Sequence, residues 1–234
     1  MSKDNLGDRM KLFEQVSRYM LPTKIPVIIR LDGKAFHTFT KQFKKPFDEQ
    51  LINAMQETTK YLVENIQGCV MGYTQSDEIT LILLDTLSEK TESWFNNNLQ
   101  KMVSVSASMC TAYFNKVLNH DTLALFDSRA FQIPLEDVPN NLVWRSRDCY
   151  KNAISSVAQC FYSHKQLQNK STLERLVMIK DKYNFKDYEL YGTLFYKKPF
   201  ENTVKIEKLH KSLNYYEIKY IIEQLGYIFD GLEI

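Results

Sequence analysis

The chain has 234 residues, 44% of them hydrophobic, and its 30 basic and 28 acidic side chains give a formal net charge of +2. That balance excludes a protein that coats nucleic acid by bulk electrostatics, so any RNA contact must use local patches. No segment has the ~20 continuous apolar residues of a membrane span, and the N-terminus lacks the apolar core of a signal peptide. We therefore expect a cytoplasmic protein with a substantial core.

Hydrophobic periodicity and turn residues divide the first part of the chain into helices and strands. The predicted elements, in chain order, are a helix over 5–20, a strand over 24–31, a helix from Pro46 to Gly68, strands over 69–73 and 79–84, a helix over 89–118 and a strand over 130–133. From the first strand onwards this is the βαββαβ order of ferredoxin-like folds, which polymerase and cyclase palm domains share. The sequence thus predicts an α+β palm-like fold, an antiparallel sheet with helices on one face.

The character of the sequence changes after Pro139. The residues that follow are mostly of helical pattern, with a candidate strand over 190–196 and a candidate terminal helix over 207–225. We expect a palm-like catalytic domain over residues 1–139. A mostly helical part over 140–234 is expected to pack on it as one structural unit.

Two carboxylates stand at the edges of hydrophobic strands. Asp32 and Gly33 end the first strand, and Asp77 lies at the turn of the predicted hairpin. Neighbouring strand ends can hold two magnesium ions between such oxygens, and paired ions of this kind run nucleotidyl transfer. Taken singly, an Asp-Gly pair is usually a turn and a Ser-Asp-Glu triplet usually a cap, so the residues alone leave both interpretations open.

Other polar residues form no compact motif. The cysteines at 69, 110, 149 and 160 are too dispersed for zinc, so reduced and mostly buried thiols are expected. Three basic groups are candidates for local RNA contacts, with a solvated surface as the alternative for each. They are Lys41, Lys44 and Lys45; Arg145, Arg147 and Lys151; and Lys197 and Lys198.

Five ordered motifs resemble the tRNA(His) guanylyltransferase family, the reverse polymerases that add nucleotides in the 3′-to-5′ direction. The motifs are Arg-Leu-Asp-Gly-Lys-Ala-Phe-His (30–37), Phe-Lys-Lys-Pro-Phe-Asp (43–48), Gly-Tyr-Thr-Gln-Ser-Asp-Glu (72–78), Phe-Asp-Ser-Arg (126–129) and Trp-Arg-Ser-Arg-Asp-Cys (144–149). Their order and spacing are similar to the family's between about residue 5 and residue 195. The resemblance implies an enzyme, a nucleotidyltransferase that uses two Mg²⁺ ions.

The resemblance also implies roles for individual residues. The implied metal ligands are Asp32, the Gly33 carbonyl and Asp77, and the implied catalytic group adds Glu78 to the two aspartates. The implied nucleotide-binding residues are Gly33, Lys34, Ala35, Phe36, His37, Lys45, Asp48, Ser76 and Lys101. The implied RNA-binding residues are Arg129, Arg145, Arg147, Lys151 and Asn152. Arg30 has two interpretations, support for charge near the site or a structural salt bridge.

Some positions depart from the family pattern. Tyr-Lys-Asn-Ala at 150–153 replaces the His-Ile-Asn-Asn signature that accompanies addition of a single guanine to tRNA(His). Chains without that signature resemble the branch linked to repair of 5′-truncated tRNA. Asn98 and the Leu190-Tyr191 pair also stand where basic residues are common.

The resemblance therefore implies template-dependent addition to the 5′ end of an incomplete tRNA. ATP or GTP would activate a 5′-monophosphate end, and the other NTPs would serve as substrates. It also implies a homotetramer. The alternatives are a guanylyltransferase restricted to tRNA(His), a catalytically inactive RNA-binding module, and a nucleotide cyclase, whose own signature turn is missing here.

Overall fold

The computed structural model describes residues 5–197 and 203–229. In this part of the chain six strands form an antiparallel sheet in the order β4-β1-β3-β2-β5-β6. The strands are β1 (Val27–Gly33), β2 (Cys69–Gln75), β3 (Glu78–Leu83), β4 (Phe126–Gln132), β5 (Thr193–Lys197) and β6 (Val204–Lys208). The first four have the predicted ferredoxin-like arrangement, so the α+β palm-like fold is confirmed.

Helices cover both faces of this sheet. They are α1 (Asn5–Gln15), α2 (Phe36–Phe39), α3 (Glu49–Asn65), α4 (Leu99–Leu118), α5 (Asp137–Phe161), α6 (His164–Leu167), α7 (Thr172–Ile179), α8 (Asp187–Tyr191) and α9 (Tyr215–Gln224). The palm helices α3 and α4 pack on one face, where Ile29 and Leu31 join Leu62 in one apolar core. On the other face α5 and α9 pack against Ile28 and Ile82.

Local signals explain where the palm helices begin. Asp48 is the N-cap of α3, and its side chain accepts hydrogen bonds from the backbone N–H groups of Gln50 and Leu51. Small residues let α4 approach the sheet, since the Ser106 hydroxyl lies 2.7 Å from that of Ser128 on β4. Both helices therefore support the sheet from the face opposite α5.

The predicted helix over 89–118 was too long. The α4 helix begins at Leu99, after a 3₁₀ turn in which Phe95, Asn96 and Asn97 have positive φ. Asparagine tolerates this conformation, and the Asn98 side chain caps the helix by accepting from Lys101 N–H. Asn98 is buried, so this departure from the family pattern has a structural role.

Three further boundaries differ from the prediction. The helix predicted over 5–20 ends at Gln15, and its apolar residues remain exposed. The strand predicted over 190–196 begins only at Thr193, because Gly192 with φ 78° separates it from α8. The first residues of the predicted terminal helix pair with β5 as β6, and α9 starts after its N-cap, Asn214.

The expected domain boundary near residue 139 falls inside α5, and β5 pairs directly with β2. We therefore propose that the two predicted parts fold as one unit. Of the predicted basic groups, Lys198 lies outside the described residues. No helix in the described ranges is long and apolar enough to cross a bilayer.

Candidate active site

Asp32 and Asp77 meet at one end of the sheet. Asp32 is the penultimate residue of β1, and the N–H of Gly33 donates to the Asp77 carbonyl at 3.1 Å. A Cβ on residue 33 would lie 3.0 Å from Asp77 Oδ2 and would overlap the Phe36 ring, so the Asp77 carboxylate lies directly beside the glycine. Burial raises the pKa of Asp77, and the negative charge of Asp32 raises this pKa further.

The hairpin turn fixes the direction of Asp77. Gln75 and Glu78 pair across β2 and β3, so the turn consists of Ser76 and Asp77 alone. Ser76 has φ 51°, and its hydroxyl donates to Asp77 Oδ1 at 3.0 Å. A tight turn and one hydrogen bond therefore orient this carboxylate towards β1.

A row of carboxylates crosses the sheet at this end. Asp32 on β1 stands opposite Asp127 on β4 and opposite Glu78 on β3. Like charges directly opposite one another are destabilising, so cations must lie close by. Arg129 Nη2 lies 3.7 Å from Asp32 Oδ2 and 3.4 Å from Asp127 Oδ1.

Arg30 lies in the next row and has a different environment. It stands opposite Thr80 on one side and Arg129 on the other. Arg30 Nε and Thr80 Oγ1 are buried, and neither has a hydrogen-bond partner among the described residues. The positive charge of Arg30 acts to lower the pKa of Glu78. Both interpretations of Arg30, support for charge near the site and a structural salt bridge, stay predictions.

Glu78 is held by a buried ion pair. Arg145 Nε and Nη2 donate to its two carboxylate oxygens at 2.6 and 2.8 Å, and Nη2 also donates to Asp148 at 3.0 Å. Burial raises the pKa of Glu78, and the Arg145 charge opposes that rise. Both oxygens of Glu78 are therefore engaged. Arg145, only 5% exposed, lies beneath the site and not on the RNA-facing surface expected from the sequence.

The donor set at Asp32 and Asp77 fits magnesium. In the described ranges no group of three Asp, Glu, His or Cys side chains could hold a metal ion. Two carboxylates and the Gly33 carbonyl form a sparse set of hard oxygens, which leaves room for water and substrate phosphate, as Mg²⁺ prefers. Burial, and after it the negative charge of Asp32, raises the pKa of Asp77, so a bound cation would stabilise the ionised form of this carboxylate.

The predicted triphosphate turn follows directly. Ala35 has φ 51° and precedes α2, and the side chains of Lys34, Ala35 and His37 are exposed. Phe36 is buried, with its ring centroid 5.5 Å from that of Phe126. Phe36 thus anchors the turn from below, and its own contribution to a ligand is limited to the backbone.

The loop that carries Lys45 is ordered by Asp48. The Asp48 carboxylate accepts from the N–H of Lys44 at 3.1 Å while it caps α3. Lys45 Nζ donates to Thr40 Oγ1 at 3.0 Å, which directs the ammonium group back towards the residues after α2. The predicted supporting role of Asp48 is consistent with this geometry.

Lys101 lies apart from the other predicted nucleotide-binding residues of its own chain. It lies in the first turn of α4, and Asn97, which precedes that helix, lines a small cavity together with Val27 at the start of β1. Because each strand residue advances ~3.3 Å, most of the length of β1 separates this end of the sheet from Asp32. The structure gives no support to a phosphate contact by Lys101 in its own chain.

The remaining predicted RNA-binding residues lie on α5. Arg147, Lys151 and Asn152 are exposed, and Asn152 and Ser76 line the same cavity of about 120 Å³ behind the hairpin turn.

Sequence reasoning did not assign Asp127 to the site. The alternation along β4 was the signal that could have found it, since that strand presents Asp127 and Arg129 on one face.

Tyr150 and Tyr191, two residues that depart from the family pattern, contact each other. The rings of Tyr150 and Tyr191 stack with centroids 5.9 Å apart and planes 12° from parallel. The carbonyl of Tyr191 accepts a hydrogen bond from the Tyr73 hydroxyl at 2.7 Å. Tyr150 is therefore turned into the packing between α5 and α8.

A palm sheet with two aspartates converging at its end defines the class of polymerase and cyclase palm domains. The family described as "Thg1: tRNAHis guanylyltransferase" matches residues 7–134. A bacterial tRNA(His) guanylyltransferase (Thg1)-like protein in complex with ATP has 40% sequence identity and a TM-score of 0.86, over 96% of this chain and 100% of its own. The chain belongs to the tRNA(His) guanylyltransferase family.

Two other relatives add to this comparison. The same kind of bacterial protein in complex with GTP has 40% identity and a TM-score of 0.79, over 96% of this chain and 100% of its own. The tRNA(His) guanylyltransferase of Schizosaccharomyces pombe is 31% identical over 61% of this chain and 56% of its own. The chain thus spans about half the length of the curated guanylyltransferases it matches.

The glycine beside Asp77 gives a direct prediction. In Gly33→Ala the new methyl group would meet the Phe36 ring and Asp77 Oδ2, so we expect Asp77 to be displaced and nucleotide addition to fall about 100-fold, as a 1 Å misplacement can cause. Steady-state addition assays with matched thermal unfolding measure this. Gly226→Ala introduces strain at a positive φ without touching Asp77, so it is the control for a loss of stability alone. An unchanged rate of nucleotide addition in Gly33→Ala would contradict the close approach of Asp77 to residue 33.

Proposed function

We propose that this protein adds nucleotides in the 3′-to-5′ direction to the 5′ end of truncated tRNA, directed by the opposite strand. The convergence of Asp32 and Asp77 at the end of a palm sheet is the observation that carries nucleotidyl transfer. Similar bacterial proteins in complex with ATP and with GTP support nucleotide binding here.

In this proposal the nucleotide triphosphate lies over the turn at Ala35, Phe36 and His37, whose backbone amides suit anionic oxygens. The N–H of Lys34 already donates to the Leu125 carbonyl at 2.8 Å, so Lys34 would contribute its side-chain charge. Lys45 on the adjoining loop adds a positive charge. Two Mg²⁺ ions held by Asp32, the Gly33 carbonyl and Asp77 would supply activation of the attacking hydroxyl and stabilisation of the leaving group. Arg129, beside Asp32, adds positive charge where phosphate accumulates.

The chemical step has an unusual polarity. The 5′ end of the RNA carries the activated phosphate, formed with ATP or GTP on a 5′-monophosphate or already present as a triphosphate. The 3′-hydroxyl oxygen of the incoming nucleotide bonds to that phosphorus, while the bond to the nucleoside monophosphate or pyrophosphate leaving group breaks. The hydroxyl proton passes to solvent.

The repair mode is favoured over addition of one guanine by the residues at 150–153. Tyr150 stands in place of the signature histidine, and its stack on Tyr191 takes it away from the site. Watson–Crick pairing with the opposite strand would then select the nucleotide, and the protein would hold duplex shape through phosphate contacts. The cytoplasmic location and the homotetramer stay predictions.

The test uses a tRNA transcript without its first nucleotide, four NTPs and Mg²⁺. We expect addition of the nucleotide complementary to the opposing base in several tRNAs, and no addition in EDTA. The matched control is the same tRNA with that opposing base changed, which should switch the nucleotide added. Addition of guanine alone, to tRNA(His) alone, would show the single-guanine enzyme instead.

A further inference from the structure

We infer that Trp144 is a stacking platform for a base at the end of the RNA duplex beside the reacting 5′ phosphate, an inference that rests on the proposed function. The chain has two tryptophans. Trp94 is packed in the core with 8% of its surface exposed, whereas Trp144 on α5 is 52% exposed. A single exposed aromatic residue is ordinary on its own, so the argument depends on what surrounds this one.

One side of the Trp144 ring is already occupied. The guanidinium carbon of Arg145 lies 4.4 Å from the ring centroid, within the range of a cation–π contact. Arg145 cannot move away easily, because Glu78 and Asp148 hold it from the other side. The indole is therefore held in one orientation, with half of its surface left in solvent.

The position of the ring relates it to the chemistry. A single guanidinium group separates the indole from the Glu78 carboxylate, and Glu78 stands directly opposite Asp32 across the sheet. A base stacked on the free side of the indole would lie beyond Arg145 as seen from Glu78, at the same end of the sheet as the two aspartates.

The surrounding charge suits RNA. Arg147 and Lys151 follow Trp144 by three and seven residues, so they lie on the same side of α5, and both are exposed. An aromatic ring flanked by cations is the combination by which proteins hold bases and backbone of RNA without reading sequence. This tolerance matches an enzyme that must accept the ends of several tRNAs.

The experiment measures addition and fluorescence together. Base–aromatic stacking corresponds to roughly a tenfold or larger effect per base, so Trp144→Ala should raise the KM for the truncated tRNA about 10-fold or more, with a smaller change in kcat. Trp144→Phe, which keeps an aromatic ring, should recover most of this loss. Tyr216→Ala is the control, since Tyr216 is an aromatic residue on α9 that is even more exposed than Trp144.

Binding is followed by tryptophan fluorescence with the truncated tRNA transcript and without NTPs. The wild type should be quenched, and the quench should be absent in Trp144→Phe, where the shielded Trp94 remains. An unchanged KM for Trp144→Ala, or a quench that persists in Trp144→Phe, would overturn the inference. So would a change in molar mass of Trp144→Ala by light scattering, which would make this surface an interface between copies. If the wild type quenches but adds no nucleotide, the proposed function fails and the stacking inference stands.

Discussion

Replacing Asp77 by alanine should abolish nucleotide addition while RNA binding persists. The substitution removes one of two carboxylates from the magnesium site, and such ions supply several kcal/mol of transition-state stabilisation. A loss of at least about 1,000-fold in kcat is expected, because each 1.4 kcal/mol is a factor of ten. Single-turnover addition to a truncated tRNA measures the loss, and a filter-binding assay measures the RNA affinity.

The structure separates this effect from unfolding. Burial and the Asp32 charge both raise the pKa of Asp77, so removal of its carboxylate relieves an unfavourable interaction and should leave the fold intact. Asp121→Ala, an exposed carboxylate in the loop before β4, is the matched control. Addition that survives in Asp77→Ala would show that our assignment of the metal ligands is wrong.

Replacing Arg145 by methionine should destabilise the protein strongly. Glu78 would keep its buried position and lose both hydrogen bonds from Arg145, and breaking a buried ion pair from one side costs about 3–5 kcal/mol. Urea unfolding of wild type and variant measures the difference. The double variant Glu78→Gln, Arg145→Met should be more stable than Arg145→Met alone, since it leaves no unpaired carboxylate at position 78.

The loss should also depend on pH. Without Arg145, burial and the charge of Asp32 would hold the pKa of Glu78 above its unfolded value, with only the Arg30 charge opposing them. Between those two pKa values the folded state binds a proton that the unfolded state has released, so the free energy of unfolding falls as pH rises. Arg145→Met should therefore be closest to wild type below the unfolded pKa of glutamate, about 4.3, and worse at pH 7. A loss of stability that is the same at every pH would contradict the explanation that Arg145→Met leaves the Glu78 carboxylate unpaired.

The palm fold could be predicted because its strands carry strong apolar patterns and appear in a recognisable order. The ends of elements could not, since they depend on single residues such as Asn98 and Gly192, whose conformations follow from caps and positive φ. In β6, Val204 and Ile206 alternate with Lys205 and Glu207, a strand signal that was missed because residues 207–225 were assigned to a helix.

The proximity of Asp32 and Asp77 could be predicted from the sequence, because the predicted strand order brings the ends of the strands that carry them together. The sequence could not tell which arginine faces solvent. Arg145 and Arg147 are two positions apart in one basic group, yet 3.6 residues per turn sends the first under the sheet end and the second outward. The position of Lys101 could not be predicted for the same reason. A motif gives the number of residues between Lys101 and Asp32, but the direction of α4 decides how far apart the two side chains lie.

The α5 helix is a continuous rod of 25 residues, roughly 37 Å long. One stretch of it carries Arg145 at the catalytic end of the sheet, and another packs Ile154 and Val157 against Leu167 and Ile179 in a separate apolar cluster. Because the helix is continuous, a tilt at one end of α5 also moves the residues at its other end. Substitutions that destabilise this cluster would consequently shift α5 and lower catalysis, while every catalytic side chain stays chemically intact.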